Sequence, residues 1–323
     1  AQDWAQRLLG SVLLDHVPRA IAYGSHGLVL AAEGSLPEAE EAVTIALAAL
    51  GGDERTGLGR GLAMHLARVR ASRGDVEGSA QAALLCRELT GVRDGWPMVN
   101  VLLADAFAGL AGGQLSGPAE LIRRAGRIAA DAGQVADAVW SGYWSVRLGD
   151  RAGTTEFLAT ARCCEGQLIR IQERHARAVL ATDPAALRAA ADEFELAGYH
   201  AYAADALAQA LVVARFRGRS GGQPGLGRRL DEAIARCPGL ATPAVRAAQL
   251  GVPLSRREFE VLMLCNAGHS RREAAELLGL APATVAAVRT AAANLMPPPH
   301  AWRPNAAGSS RRPGSVRCGR RRP

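Results

Sequence analysis

From about residue 20 to residue 217 the apolar positions fall in runs of alanine and leucine at helical spacing, interrupted by short polar breaks that contain glycine. In LVLAAEGSLPEAEEAVTIALAAL one run stops at Gly34 and the next resumes with Ala39, Ala42 and Ala46, three and four residues apart and so on one helix face. LARVRASRGDVEGSAQAALLCREL, WSVRLGDRAGTTEFLATARCC and RAVLATDPAALRAAADEFELAG follow the same plan. A helix ends, the chain turns near Gly34, Gly74, Gly112–Gly113, Gly149 or Asp183, and a second helix begins. The breaks recur at about 33–40 residues, the period of helix–turn–helix repeats such as the tetratricopeptide repeat. A single hairpin of this kind cannot bury its apolar stripe. Neighbours must therefore stack, and the expectation is a right-handed superhelix with a concave face. The other reading of the same pattern is a non-repetitive helical bundle.

A different pattern governs Leu254 to Met296. Ser255-Arg-Arg-Glu258 and Ser270-Arg-Arg-Glu273 are identical tetrapeptides, each with the spacing of a capping box, in which serine and glutamate satisfy each other's amides. Phe259, Val261, Leu262 and Leu264 follow the first, and Ala274, Ala275, Leu277 and Leu278 follow the second. Gly279 breaks the pattern, and Pro282 suits the first turn of a third helix. Three short helices are predicted, the last two joined by a tight turn at Gly279-Leu280. A helix–turn–helix that offers its second helix to the major groove has this layout; the plainer alternative is a helical cap on the preceding repeats.

The series Leu-Ser-x-Arg-Glu, Gly-x-Ser-x-x-Glu-Ala-Ala and Thr284-Val285 resembles the C-terminal DNA-binding domain of LuxR-type (LuxR/NarL) transcription regulators, from Leu254 to Val285. The preceding unit, AADEFELAGYHAYAADALAQALVVARFRGR, resembles the segment before that domain in the large ATP-dependent members. Those carry an ATPase domain ahead of the repeats. No Gly-x-x-x-x-Gly-Lys-Ser/Thr occurs here, so the resemblance implies the C-terminal part of such a regulator, with ATP implied only for a domain outside this chain and no cofactor within it. It also implies that Thr284 and Val285 belong to the DNA-binding set and that the positions after them face bases. Here they are Ala286, Ala287 and Thr290, which offer a methyl contact and one weak hydrogen bond in place of a bidentate side chain. Arg271, Arg272, Thr284 and Arg289 remain for phosphates, which give affinity without sequence preference. Val288 stands where the family usually has histidine, and Ala281 where it has a serine cap. The family's final amphipathic helix, often a dimerisation element, is replaced by PPPHAWRPNAAGSSRRPGSVRCGRRRP, an out-of-frame ending or a basic arm for non-specific DNA affinity.

Composition sharpens this picture. All 38 basic residues are arginine, which excludes a lysine Schiff base or a phosphate-loop lysine, and alanine with arginine makes an all-α chain the default. The net charge of +7 equals the seven arginines of the tail (Arg303, Arg311, Arg312, Arg317, Arg320, Arg321 and Arg322), so the remainder is balanced and the excess sits on an end expected to be disordered. The six cysteines lack zinc-ligand spacing, and adjacent Cys163 and Cys164 are expected on or beside the buried face of a helix as reduced thiols. Asp192, Glu193 and Glu195, and likewise His175 beside Glu173 and Arg174, read as solvated faces, and His200 as a packed or half-exposed histidine at a helix junction. Gly57–Gly61 and Gly225–Gly227 read as loops, residues 217–227 as a flexible loop, and residues 228–237 as a last helix. The start, AQDWAQRLLGSVLLDH, reads as the middle of a helix in a fragment of something longer. No apolar run is long enough to cross a membrane.

The expected organisation is all-α: a helical-repeat (TPR-like) solenoid over 1–237, a linker over 238–250, a small helix-turn-helix domain over 251–296 and a disordered basic tail over 297–323. The expected protein is a cytoplasmic DNA-binding regulator and not an enzyme. Its partners are DNA, a small-molecule or protein effector on the repeats and a second copy as homodimer. The alternative is a helical-repeat interaction module with a vestigial helix-turn-helix.

Overall fold

A computed structural model of the chain describes residues 15–51, 57–89, 96–217, 223–251, 254–266 and 269–295. Among these residues there are sixteen helices and no strand. They run α1 (His16–Glu33), α2 (Leu36–Leu50), α3 (Leu58–Ser72), α4 (Val76–Glu88), α5 (Trp96–Ala111), α6 (Ser116–Asp131), α7 (Val135–Arg147) and α8 (Arg151–Ala161). Then follow α9 (Gln167–Ala181), α10 (Pro184–Leu196), α11 (His200–Phe216), α12 (Gln223–Ala235), α13 (Pro243–Gln249), α14 (Arg256–Asn266), α15 (Arg271–Leu278) and α16 (Pro282–Leu295).

The first twelve helices pair as consecutive hairpins, each packed on the next. The turn inside a hairpin is written in two residues. A left-handed residue ends the first helix, and an acceptor side chain often starts the second. Gly74 (φ 75°) precedes Asp75, whose carboxylate accepts from the Gly78 amide at 2.9 Å. Gly149 (φ 64°) precedes Asp150, which caps Gly153. Thr182 (φ 50°) precedes Asp183, which accepts from Ala185 at 2.9 Å. These are the breaks that the glycine and aspartate positions predict.

The row of hairpins curls back on itself until α1 meets α11. Ala31, Leu36, Ala39 and Val69 from the first hairpins share one core with Tyr143, Phe157, Phe194 and Leu207 from the last. A second core joins the hairpins from α1 to α7 through Leu62, Leu103, Phe107 and Trp144. Near the closure Arg147 donates to Asp205 at 2.6 Å, while its guanidinium lies 3.9 Å from the Trp144 ring centroid and 4.8 Å from that of Tyr202. The second carboxylate oxygen of Asp205 accepts from the Thr242 hydroxyl, so the ion pair is buried with its lone pairs occupied.

Several local expectations are corrected. His175 lies on no solvated face; it is fully buried, with Nδ1 2.9 Å from the Tyr143 hydroxyl and Nε2 2.7 Å from Gln209 Oε1. The Gln209 amide nitrogen donates to Val146 and Arg147, so its oxygen faces the ring; the Nε2–H tautomer satisfies both ring nitrogens. Asp192, Glu193 and Glu195 do stay half-exposed at the surface, Glu193 paired with Arg174 and the other two with Arg229 at 2.7 and 3.2 Å. Cys163 and Cys164 occupy the turn after α8; Cys163 is exposed there, while Cys164 packs against the first core beside the helix end. Gly59 and Gly61 are inside α3, and Gly225 and Gly227 inside α12, because apolar packing recruits flanking residues that glycine alone would leave as loop. The last helix of the hairpin row accordingly begins at Gln223, ahead of the expected start at 228.

The segment expected as a linker carries α13. The Ala241 amide donates to Ser72 O at 2.7 Å, Arg246 donates to Ala111 O at 3.1 Å, and Arg215 donates to Ala248 O. Residues 241–248 thus tie together the C-terminal ends of α3, α5 and α11. No helix of the described residues is long and apolar enough to cross a membrane. Residues 1–14, residues 218–222 and the tail from 296 lie outside the described residues.

Candidate nucleic-acid interface

The last three helices are positioned by their ends. Ser255 Oγ accepts from the Glu258 amide at 3.3 Å while Glu258 accepts from the Ser255 amide at 2.7 Å. Ser270 and Glu273 make the same exchange at 3.2 and 2.7 Å. Both carboxyls are held below the usual range, Glu258 by the Ser255 side chain and amide and Glu273 by the Ser270 amide and side chain. Gly279 (φ 62°) closes α15 in the left-handed region, and Pro282 opens α16. Val261, Leu264, Ala274, Ala275, Leu278 and Val285 form the small core where these helices meet.

That core corrects one site expectation. Val285 is wholly buried, so it anchors α16 and contacts nothing outside the chain. The other expected positions divide differently. Arg271, Arg272, Thr284, Ala287, Arg289 and Thr290 are exposed, and Ala286 is half-buried. Arg272 is paired with Glu276 at 3.0 Å, and the Thr290 hydroxyl donates back to Ala286 O at 3.0 Å. Residues 254–296 contain five arginines against four glutamates, so this unit presents local guanidinium groups without a strong net field.

The side chains that seat this unit on the helical hairpins carry no motif in the sequence. Arg256, Phe259, Glu260 and Met263 recur along one stripe of α14. Glu260 is 1% exposed, and its Oε1 accepts from the amides of Leu115 and Ser116 at 2.9 and 2.6 Å. Those amides begin α6, whose own N-cap position, Leu115, has no side chain able to serve. Helix α6 is therefore capped by a carboxylate 144 residues further along the chain. Burial raises the Glu260 carboxyl, but the Ser116 amide, Arg257 and the Leu115 amide outweigh it and hold the group below the ordinary carboxylate range. Arg257 bonds Glu260 Oε2 at 3.0 Å and Leu278 O at 2.6 Å, linking this contact to the end of α15.

Beside Glu260, Arg256 donates to Leu115 O at 3.0 Å and lies 3.6 Å from Asp150. Phe259 is buried in the second core of the hairpins, and Met263 packs against Gly113. The signal available in sequence was a glutamate inside the apolar run Phe259–Leu264, a position that demands a buried partner. Docking uses α14 and leaves Arg271, Arg272, Thr284, Arg289 and Thr290 open to solvent. No protein-family model, curated protein or solved structure matches the chain.

Proposed function

We propose that the chain is a DNA-binding regulator in which a solenoid of TPR-like hairpins serves as sensor or interaction domain and residues 254–295 act as a helix-turn-helix. One observation carries the reading: α14 is committed to the repeats while Arg271, Arg272, Thr284, Arg289 and Thr290 stay exposed around the tight α15–α16 turn. In this role α16 enters the major groove. Thr284 and the exposed arginines meet phosphates, and Ala287 and Thr290 make the few contacts to bases.

A second reading is favoured by the same helix. Ala286 and Ala287 carry no hydrogen-bonding group, and the Thr290 hydroxyl proton is already used within α16. Base readout of this kind is poor. The alternative is a helical-repeat interaction module whose three-helix unit serves only to cap α6.

Fluorescence anisotropy separates the two. The full chain and a chain ending at Met296 are titrated with duplex DNA across a salt series and against unrelated competitor. Regulation requires binding that survives truncation and resists competitor at some sequences. Binding that vanishes with the tail, or that any DNA erases equally, leaves the interaction module.

A further inference from the structure

A cavity of about 280 Å³ lies where the repeats meet α13 and α14. Leu148, Val179 and Val213 wall it on the side of the repeats, Ala247 on α13, and Phe259 with Arg256 on α14. Its charged lining consists of Arg147, Arg151 and Arg256, with no carboxylate among the lining residues. All three cations have a partner: Arg147 holds Asp205, Arg151 donates to Leu180 O at 2.9 Å, and Arg256 donates to Leu115 O at 3.0 Å and lies 3.6 Å from Asp150. Arg256 still has one donor to spare, because its Nε–H is shut away from water without a hydrogen-bond partner. A guanidinium donor in that state is costly unless something supplies an oxygen. At the rim stands Thr182, the one non-glycine with positive φ among the described residues. Backbone strain of this type concentrates where ligands bind.

We propose that this cavity is a binding site for a small apolar carboxylate, its hydrocarbon body against Val213, Ala247 and Phe259 and its carboxylate on Arg256. The size restricts the ligand to a medium-chain or single-ring acid, since small-molecule sites run from about 300 Å³ upward. The walls come from both the repeats and α14, so an occupant adds contacts between them and favours the docked arrangement. This gives the sensor role proposed above a location; its test uses no DNA and can fail while DNA binding stands.

The test is calorimetric titration of the full chain with octanoate, 1-octanol and octylamine, with hydrogen exchange read across α14. Octanoate is expected to bind about tenfold tighter than octanol, the amine not at all, and exchange of α14 amides to slow only with octanoate. Arg256→Met should reduce octanoate to the affinity of octanol. Ala247→Leu, which fills the cavity and leaves Arg256 in place, should weaken both by about tenfold or more. Equal affinity for acid and alcohol, no binding below about 1 mM, or an Ala247→Leu protein that still binds octanoate normally would each overturn the proposal.

Discussion

Thr182 shows how a single backbone angle separates what local sequence specifies from what it tolerates. The hairpin turns at Gly34, Gly74, Gly113 and Gly149 place glycine at positive φ, where the missing Cβ removes the clash with the carbonyl. The α9–α10 turn places a β-branched threonine at φ 50° in the same role. Thr182→Gly should therefore stabilise the protein by about 1 kcal/mol, the relieved strain exceeding the added freedom of the unfolded chain. Urea denaturation checks this, and an unchanged or lowered midpoint would show that the turn carries no strain. Residues whose work is local were legible in the sequence. Ser255, Glu258, Ser270 and Glu273 bond within four residues of themselves, so spacing alone reveals their partners. His175 was not, because its partners Tyr143 and Gln209 lie 32 and 34 residues away, and Val285 was not, because the packing of α14 and α15 decides that it is buried.

At the scale of the element, α14 has two faces and the sequence displays one. Val261 and Leu264 repeat at helical spacing and mark the face turned toward α15 and α16. Arg256, Phe259, Glu260 and Met263 form the face turned toward the hairpins, and the polar residues in that stripe make it look like surface. Glu260→Ala should expose this hidden role by leaving two amides of α6 without their acceptor and the Arg257 guanidinium with Leu278 O alone. The expected cost is about 1–3 kcal/mol. Hydrogen exchange should show it as faster opening of α14 and the first turn of α6, with α9–α11 unchanged. The carboxyl is held low in the docked state, so this contribution is present above the ordinary carboxylate range and is lost as pH falls through the docked-state value. Uniform destabilisation of every helix, or none, would contradict an inter-element cap.

For the molecule as a whole the decisive contacts are those that close the row of hairpins. His175 joins α7, α9 and α11 through Tyr143 and Gln209, and burial pushes it from 6.5 down to about 4. Between those values the unfolded chain binds a proton that the folded chain refuses, so stability rises with pH and drains away as pH falls below 6.5. The group accounts for at most about 3 kcal/mol by the time pH 4 is reached. Urea midpoints from pH 7 down to pH 5 should fall accordingly, and His175→Gln should flatten that slope; an equal slope in both proteins would remove His175 as its source.

The sequence by itself determined the all-helical class, the positions of the hairpin turns, the capping of α14 and α15 and the break at Gly279. Each of these depends on interactions spanning a few residues, where residue type and spacing are sufficient. Only the tertiary structure decided that α1 returns to α11, that residues 241–248 lock onto the ends of three helices, and that Glu260 caps α6. Those contacts join positions far apart in the chain, and neither residue type nor periodicity says which distant surfaces will meet.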